Sequence, residues 1–147
     1  MSCKPFETCF EFVKEKHSIV SFRDKKSSTK YIYKNNKKDE LSKYRIDGCI
    51  INDNGSKCDY ILINCTKKKV FFIELKGSDL VKAIEQIDRS LDLLLSYFED
   101  YTIEARIVLT RVNTVDLKDI KLLKLENRIK NLKGQLIKQT RQLDETN

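Results

Sequence analysis

The sequence predicts an α/β fold, a mixed sheet of about four strands flanked by helices and followed by a long C-terminal helix. Three patterns carry that expectation. Short apolar runs separated by turn residues occupy residues 44 to 75. Apolar residues recur at steps of three and four from Leu80 to Phe98, and a leucine-rich alternation of the same kind runs from Leu122 to Leu143. A chain of 147 residues with 40% hydrophobic content can bury one core without disulfide staples. Residues 1–113 are therefore expected to form one domain, and residues 114–147 a C-terminal helix.

Phe6, Cys9, Phe10 and Val13 stand at i, i+3, i+4 and i+7, which predicts a first helix over residues 5 to 16 with Glu7, Glu11 and Lys14 facing outward. The polar segment that follows, up to Lys38, holds only Tyr31-Ile32-Tyr33 as a short strand or turn. Tyr44 to Ile51, Cys58 to Asn64 and Val70 to Leu75 then read as an antiparallel meander, with Asn52-Asp53-Asn54-Gly55 and a lysine-rich stretch as its turns. Gly77-Ser78 ends the third strand, and Ser78 is placed to cap a helix starting at about Asp79. The stripe Leu80, Ile84, Ile87, Leu91, Leu94 and Phe98 lays that helix across one sheet face. Thr102 to Leu109 is β-branched and apolar, and its position after a crossover helix predicts pairing parallel to an earlier strand.

From Asp116 to about Leu143, the residues Leu122, Leu125, Ile129, Leu132, Leu136 and Leu143 keep a three-four alternation interrupted at Gln139. That spacing predicts either a coiled-coil arm forming a homodimer or an amphipathic helix packed on its own domain. Gly134, costing about 1 kcal/mol inside a helix, counts against an ideal rod.

The chain carries 29 Lys+Arg against 22 Asp+Glu, a formal charge of +7. Such an excess attracts polyanions at long range, although lysine runs such as Lys67-Lys68-Lys69 also serve solubility alone. The start lacks the apolar stretch of a secretory signal, and no window approaches the roughly 20 apolar residues of a membrane span. A cytoplasmic protein with no membrane partner is expected. Five cysteines, Cys3, Cys9, Cys49, Cys58 and Cys65, are an odd count for a disulfide framework, and reduced thiols are expected. No CxxC pair is present, and the spacing of Cys49, Cys58, Cys65 and His17 fits no compact zinc knuckle.

Chemistry concentrates at the end of the third strand, Phe71-Phe72-Ile73-Glu74-Leu75-Lys76-Gly77. Side chains alternate along a strand, so Glu74 and Lys76 share one face and Ile73 and Leu75 the other. Asp59 opens the preceding strand. A hairpin centred between Thr66 and Lys67 sets Asp59 opposite Glu74, and one centred between Lys67 and Lys68 sets it opposite Lys76; a slip of one residue would remove it from that face. Two carboxylates converging at a strand end suit a hard cation, Mg²⁺ or Mn²⁺, which takes phosphate oxygens as further ligands. Lys76 beside them can orient water or stabilise developing negative charge.

The order strand with Asp59, strand with Glu74-Leu75-Lys76, Gly-Ser and amphipathic helix resembles the PD-(D/E)xK nuclease superfamily over roughly residues 44 to 110 and the leading helix. The resemblance implies a restriction endonuclease-like core and Mg²⁺- or Mn²⁺-dependent hydrolysis of DNA. Asp59 is similar to the superfamily's metal-binding aspartate, Glu74 to its second acid and Lys76 to its lysine, with the Leu75 carbonyl as a further metal ligand. Gln86 on the following helix is similar to a glutamine that some branches carry, and Cys58 replaces the proline of the motif name. Glu7 or Glu11 can supply the acid often found on the first helix, and Asp47 is another acid within reach. DNA form, endo- or exonucleolytic action and any larger protein partner stay open. Two other expectations compete: a nucleic-acid-binding module that does not cut, and an assembly protein acting through the C-terminal helix.

Overall fold

Nine strands and two helices are formed among the described residues, 3–24, 26–111 and 119–147, of this computed structural model. The molecule is mostly β, which overturns both the α/β expectation and the restriction endonuclease-like architecture attached to it. A six-stranded sheet runs in the order β1 (Phe10–Glu15), β4 (Leu41–Arg45), β5 (Tyr60–Asn64), β6 (Lys69–Lys76), β7 (Thr102–Leu109) and β8 (Leu136–Thr140). Its first four strands pair antiparallel, whereas β6, β7 and β8 pair parallel. A smaller sheet places β3 (Lys30–Lys34) between β2 (Ile19–Arg23) and β9 (Gln142–Thr146).

The alternation of side chains divides the apolar residues between two cores. On one face, Ile61, Ile63, Phe72, Ile103 and Ile107 pack beneath α1 (Leu80–Leu94) and α2 (Ile120–Asn131). On the other, Leu62, Phe71, Ile73, Leu75 and Val108 meet Val20, Phe22, Tyr31, Tyr33 and Leu143 of the small sheet. The α1 stripe is buried as its period requires, and its N-cap is Asp79, whose carboxylate accepts the Lys82 N–H at 2.9 Å; Ser78 is not the cap. Between the sheets, buried Arg106 donates to Glu104 at 2.9 Å and to Glu145, which also accepts the Tyr31 hydroxyl at 2.7 Å. Neutralising the guanidinium on both sides is what permits it inside.

The expected first helix is a bulged edge strand, β1, paired with β4. Cys9 and Lys14 have φ of 72° and 55°, values a right-handed helix does not accommodate. Val13 packs into the helical-side core and Phe12 into the other, so consecutive apolar residues serve opposite faces. The loop expected before Lys38 contains two strands, β2 and β3, rather than one. The strand expected from Tyr44 to Ile51 is β4, which ends at Arg45; the chain then turns through Gly48 at φ 74°.

The long C-terminal helix is absent. Its expected start at Asp116 lies outside the described residues, α2 stops at Asn131, and β8 and β9 follow. Gly134 sets the stop: a Cβ there would lie 1.6 Å from the Ile103 carbonyl oxygen, so only glycine lets the chain pass so close to β7. The residues assigned to a coiled-coil seam are consumed internally, Leu122, Leu125 and Ile129 in one core and Leu143 in the other. Among the described residues no long apolar helix is left to join two copies. Disulfides link Cys3 to Cys65 and Cys9 to Cys49, with Cα separations of 5.5 and 5.7 Å, which overturns the reduced-thiol expectation for these four; Cys58 is free and buried.

Candidate active site

The meander register decides where Asp59 sits. Tyr60 pairs with Ile73 and Asn64 with Lys69, the register centred between Thr66 and Lys67, and its continuation sets Asp59 opposite Glu74. The ladder becomes irregular at that step: the Asp59 N–H donates to the carbonyl of Ile73 at 3.2 Å, the residue already paired with Tyr60. The Asp59 carboxylate then accepts the Leu75 N–H at 2.9 Å, capping the end of β6. Asp59 is thereby fixed beside the Glu74-Leu75-Lys76 segment by main-chain contacts from two directions.

Glu74 points into the helical side of the sheet and is only 1% exposed, a cost a carboxylate bears only for structure or function. Among the described residues, two buried side-chain oxygens lack a hydrogen-bond partner: Glu74 Oε1 and Gln86 Oε1. An unsatisfied buried acceptor costs about 1–3 kcal/mol, so each is a polar group that the fold does not itself satisfy. Gln86 projects from α1 and lines a cavity with Lys76, Lys82, Lys57 and Asp47. A second cavity, of about 350 Å³, is lined by Asp59, Tyr60, Asp47, Asp24, Arg23, Arg45 and Lys26. Asp47 borders both.

Burial raises the Asp59 pKa to about 6, with Asp24 and Asp47 adding to the rise and the Leu75 N–H and Lys76 opposing it. Glu74 is also pushed well above the ordinary carboxylate range, first by burial, then by the neighbouring charge of Asp59; Lys76 and the main chain of Asp59 oppose the shift. Asp47 thus adds to the rise of both carboxylates, and Lys76 moderates both.

The acids suggested by sequence separate clearly. Asp47 borders both cavities and faces Lys57 at 3.9 Å. Glu7 instead pairs with Lys4 at 3.5 Å, and Glu11 with Lys43 at 3.0 Å on the outer strands; neither lines these cavities. Leu75 lies between Glu74 and Lys76, its side chain buried in the opposite core. Arg23 and Arg45 were not singled out by sequence: each is an isolated arginine ending a strand, and 22 positions separate them, so only the packing of β2 against β4 and β5 brings them together.

A hard divalent cation suits these donors: two carboxylates, one with a buried, unpartnered oxygen, on neighbouring segments of the sheet and both held at raised pKa chiefly by burial. No group of three or more His, Cys, Asp or Glu side chains is placed to hold a metal among the described residues. No helix of the described residues is long and apolar enough to cross a membrane. Comparison with known proteins finds no matching family model, no similar curated protein and no similar solved structure.

Proposed function

We propose that this chain is a metal-dependent nuclease that hydrolyses phosphodiester bonds in DNA, with Asp59 and Glu74 as metal ligands, assisted by the Leu75 carbonyl, and Lys76 and Gln86 at the reacting phosphate. The observation carrying this reading is the buried Glu74 carboxylate, with one unpartnered oxygen, under the charge of Asp59 and Lys76. The Asp59 and Glu74-Leu75-Lys76 spacing adds its resemblance to the PD-(D/E)xK motif; the fold contributes nothing to it. When bound, Mg²⁺ or Mn²⁺ supplies a polarised water and charge compensation on the phosphate. Lys76 holds positive charge where the phosphate gains negative charge. Gln86 Oε1, free of other partners, accepts a hydrogen bond from the attacking water and orients it. Water oxygen forms the new bond to phosphorus and releases a proton to solvent, the P–O bond to the leaving sugar breaks, and the sugar oxygen departs with a proton taken from solvent, so that the protons balance.

The test is cleavage of duplex, branched and single-stranded DNA, and RNA, with Mg²⁺ or Mn²⁺. Cutting by the wild type and a loss of at least about 100-fold in Lys76→Ala, with unchanged circular dichroism, is expected. A folded wild-type protein that cuts none of these substrates refutes the reading. The sparse donor set favours one second reading, a nucleic-acid-binding module that does not cut. In that case DNA binding should survive Asp59→Ala and Glu74→Ala, and should weaken steeply with salt.

A further inference from the structure

The two cavities meeting at Asp47 are both lined by cations, and these come from separate parts of the fold. On the Gln86 side stand Lys57, Lys76 and Lys82, from the loop before β5, the end of β6 and the first turn of α1. On the Asp59 side stand Arg23, Lys26 and Arg45. Arg23 ends β2, paired with Lys30 across the β2–β3 hairpin, and Arg45 ends β4, paired with Tyr60. The small sheet thus delivers one arginine to the rim of a site built on the large sheet.

The side chains of Arg23, Lys26 and Arg45 make no hydrogen bond or ion pair with a described residue. This contrasts with Arg89, Arg106 and Arg128, each held by carboxylates at other points of the molecule. The acids sharing the cavity are otherwise engaged. Asp24 accepts the Ser27 hydroxyl at 2.6 Å and the Lys26 N–H at 3.0 Å, Asp47 faces Lys57, and Asp59 caps Leu75. Two guanidinium groups with all their donors free, around a cavity of about 350 Å³, are suited to bidentate contact with phosphate oxygens. Tyr60 also lines the cavity, its ring packed against Phe22 and under the Lys43 ammonium.

We infer that Arg23, Lys26 and Arg45 form a second phosphate subsite beside Asp59, on the opposite side of Asp47 from Lys57, Lys76 and Lys82, so that a DNA strand runs through the site and is cut internally. The inference rests on the nuclease reading of Asp59 and Glu74. An enzyme that removes terminal nucleotides needs one side of its centre shaped to receive a chain end. Here the cavities on both sides of Asp47 present cations for a continuing backbone.

The experiment compares a covalently closed circular single-stranded DNA with a linear strand of the same sequence, using the full chain and Mn²⁺. Internal cutting predicts that the circle is opened at a rate comparable to cleavage of the linear strand. Arg23→Ala/Arg45→Ala should raise KM by about tenfold or more, with the loss expressed in KM rather than kcat, and should reduce the salt slope of DNA binding by about two. Linear DNA shortened from its ends while circles stay intact overturns the inference and leaves the nuclease reading standing. A folded protein that cuts neither substrate overturns the inference, and the nuclease reading falls with it if duplex DNA, branched DNA and RNA are left intact as well. An unchanged KM and salt slope in the double variant, with circles still cut, removes the assigned subsite.

Discussion

The pair Asp59 and Glu74 illustrates how a site can be costly to the fold that carries it. A carboxyl group whose native pKa exceeds its unfolded value binds its proton more tightly when folded, so ionisation opposes folding. For Asp59 that penalty is absent below about pH 4, grows between about pH 4 and 6, and is complete above its native value of about 6. A rise of about two units corresponds to about 3 kcal/mol. Asp59→Asn keeps an acceptor for the Leu75 N–H and removes the charge. It should therefore be more stable than the wild type at pH 8 by up to about 3 kcal/mol and equal to it at pH 4, as read by urea unfolding at the two values. A variant no more stable at pH 8 would contradict the assigned burial of charge. Added Mn²⁺ should stabilise the wild type and not the variant, because the ligand set is then incomplete.

At the scale of elements, the crossover α1 and strand β7 follow from local pattern because their neighbours are close in sequence. The stripe from Leu80 to Phe98 is buried throughout, and β7 covers Thr102–Leu109 as its β-branched run suggests. Where the pattern misled, tertiary pairing outweighed periodicity. Leu136 and Leu143 keep helical spacing with Leu132, yet one joins β8 beside β7 and the other β9 beside β3. Gly134 is the switch between these outcomes, since its lack of a side chain lets the chain leave α2 and run against Ile103. Gly134→Ala should accordingly cost about 3 kcal/mol, measured by thermal or urea unfolding, well above the small gain that alanine gives in a true helix interior. A stabilised alanine variant would restore the continuous-helix expectation.

Across the whole molecule, the two disulfides join the N-terminal segment to the end of β5 and to the turn after Asp47, closing separations of 62 and 40 residues. Each constrains the unfolded chain by about 4 kcal/mol on the loop-entropy account. Reduction should lower the melting temperature markedly, with Cys9→Ser/Cys49→Ser matching part of that loss; equal melting temperatures with and without reductant would show the bonds to be dispensable. The sequence by itself determined the β5–β6 hairpin, α1, β7 and the common face of Glu74 and Lys76, because strand alternation, helix period and short turns are local. Only the tertiary structure decided the rest: the small sheet that brings Arg23 to Asp59, the slip at Asp59 that caps Leu75, the cysteine partners and the fate of the C-terminal leucines. Those depend on contacts between residues tens of positions apart, whose gain comes from filling two cores at once, and no local period records which distant strand a segment will join.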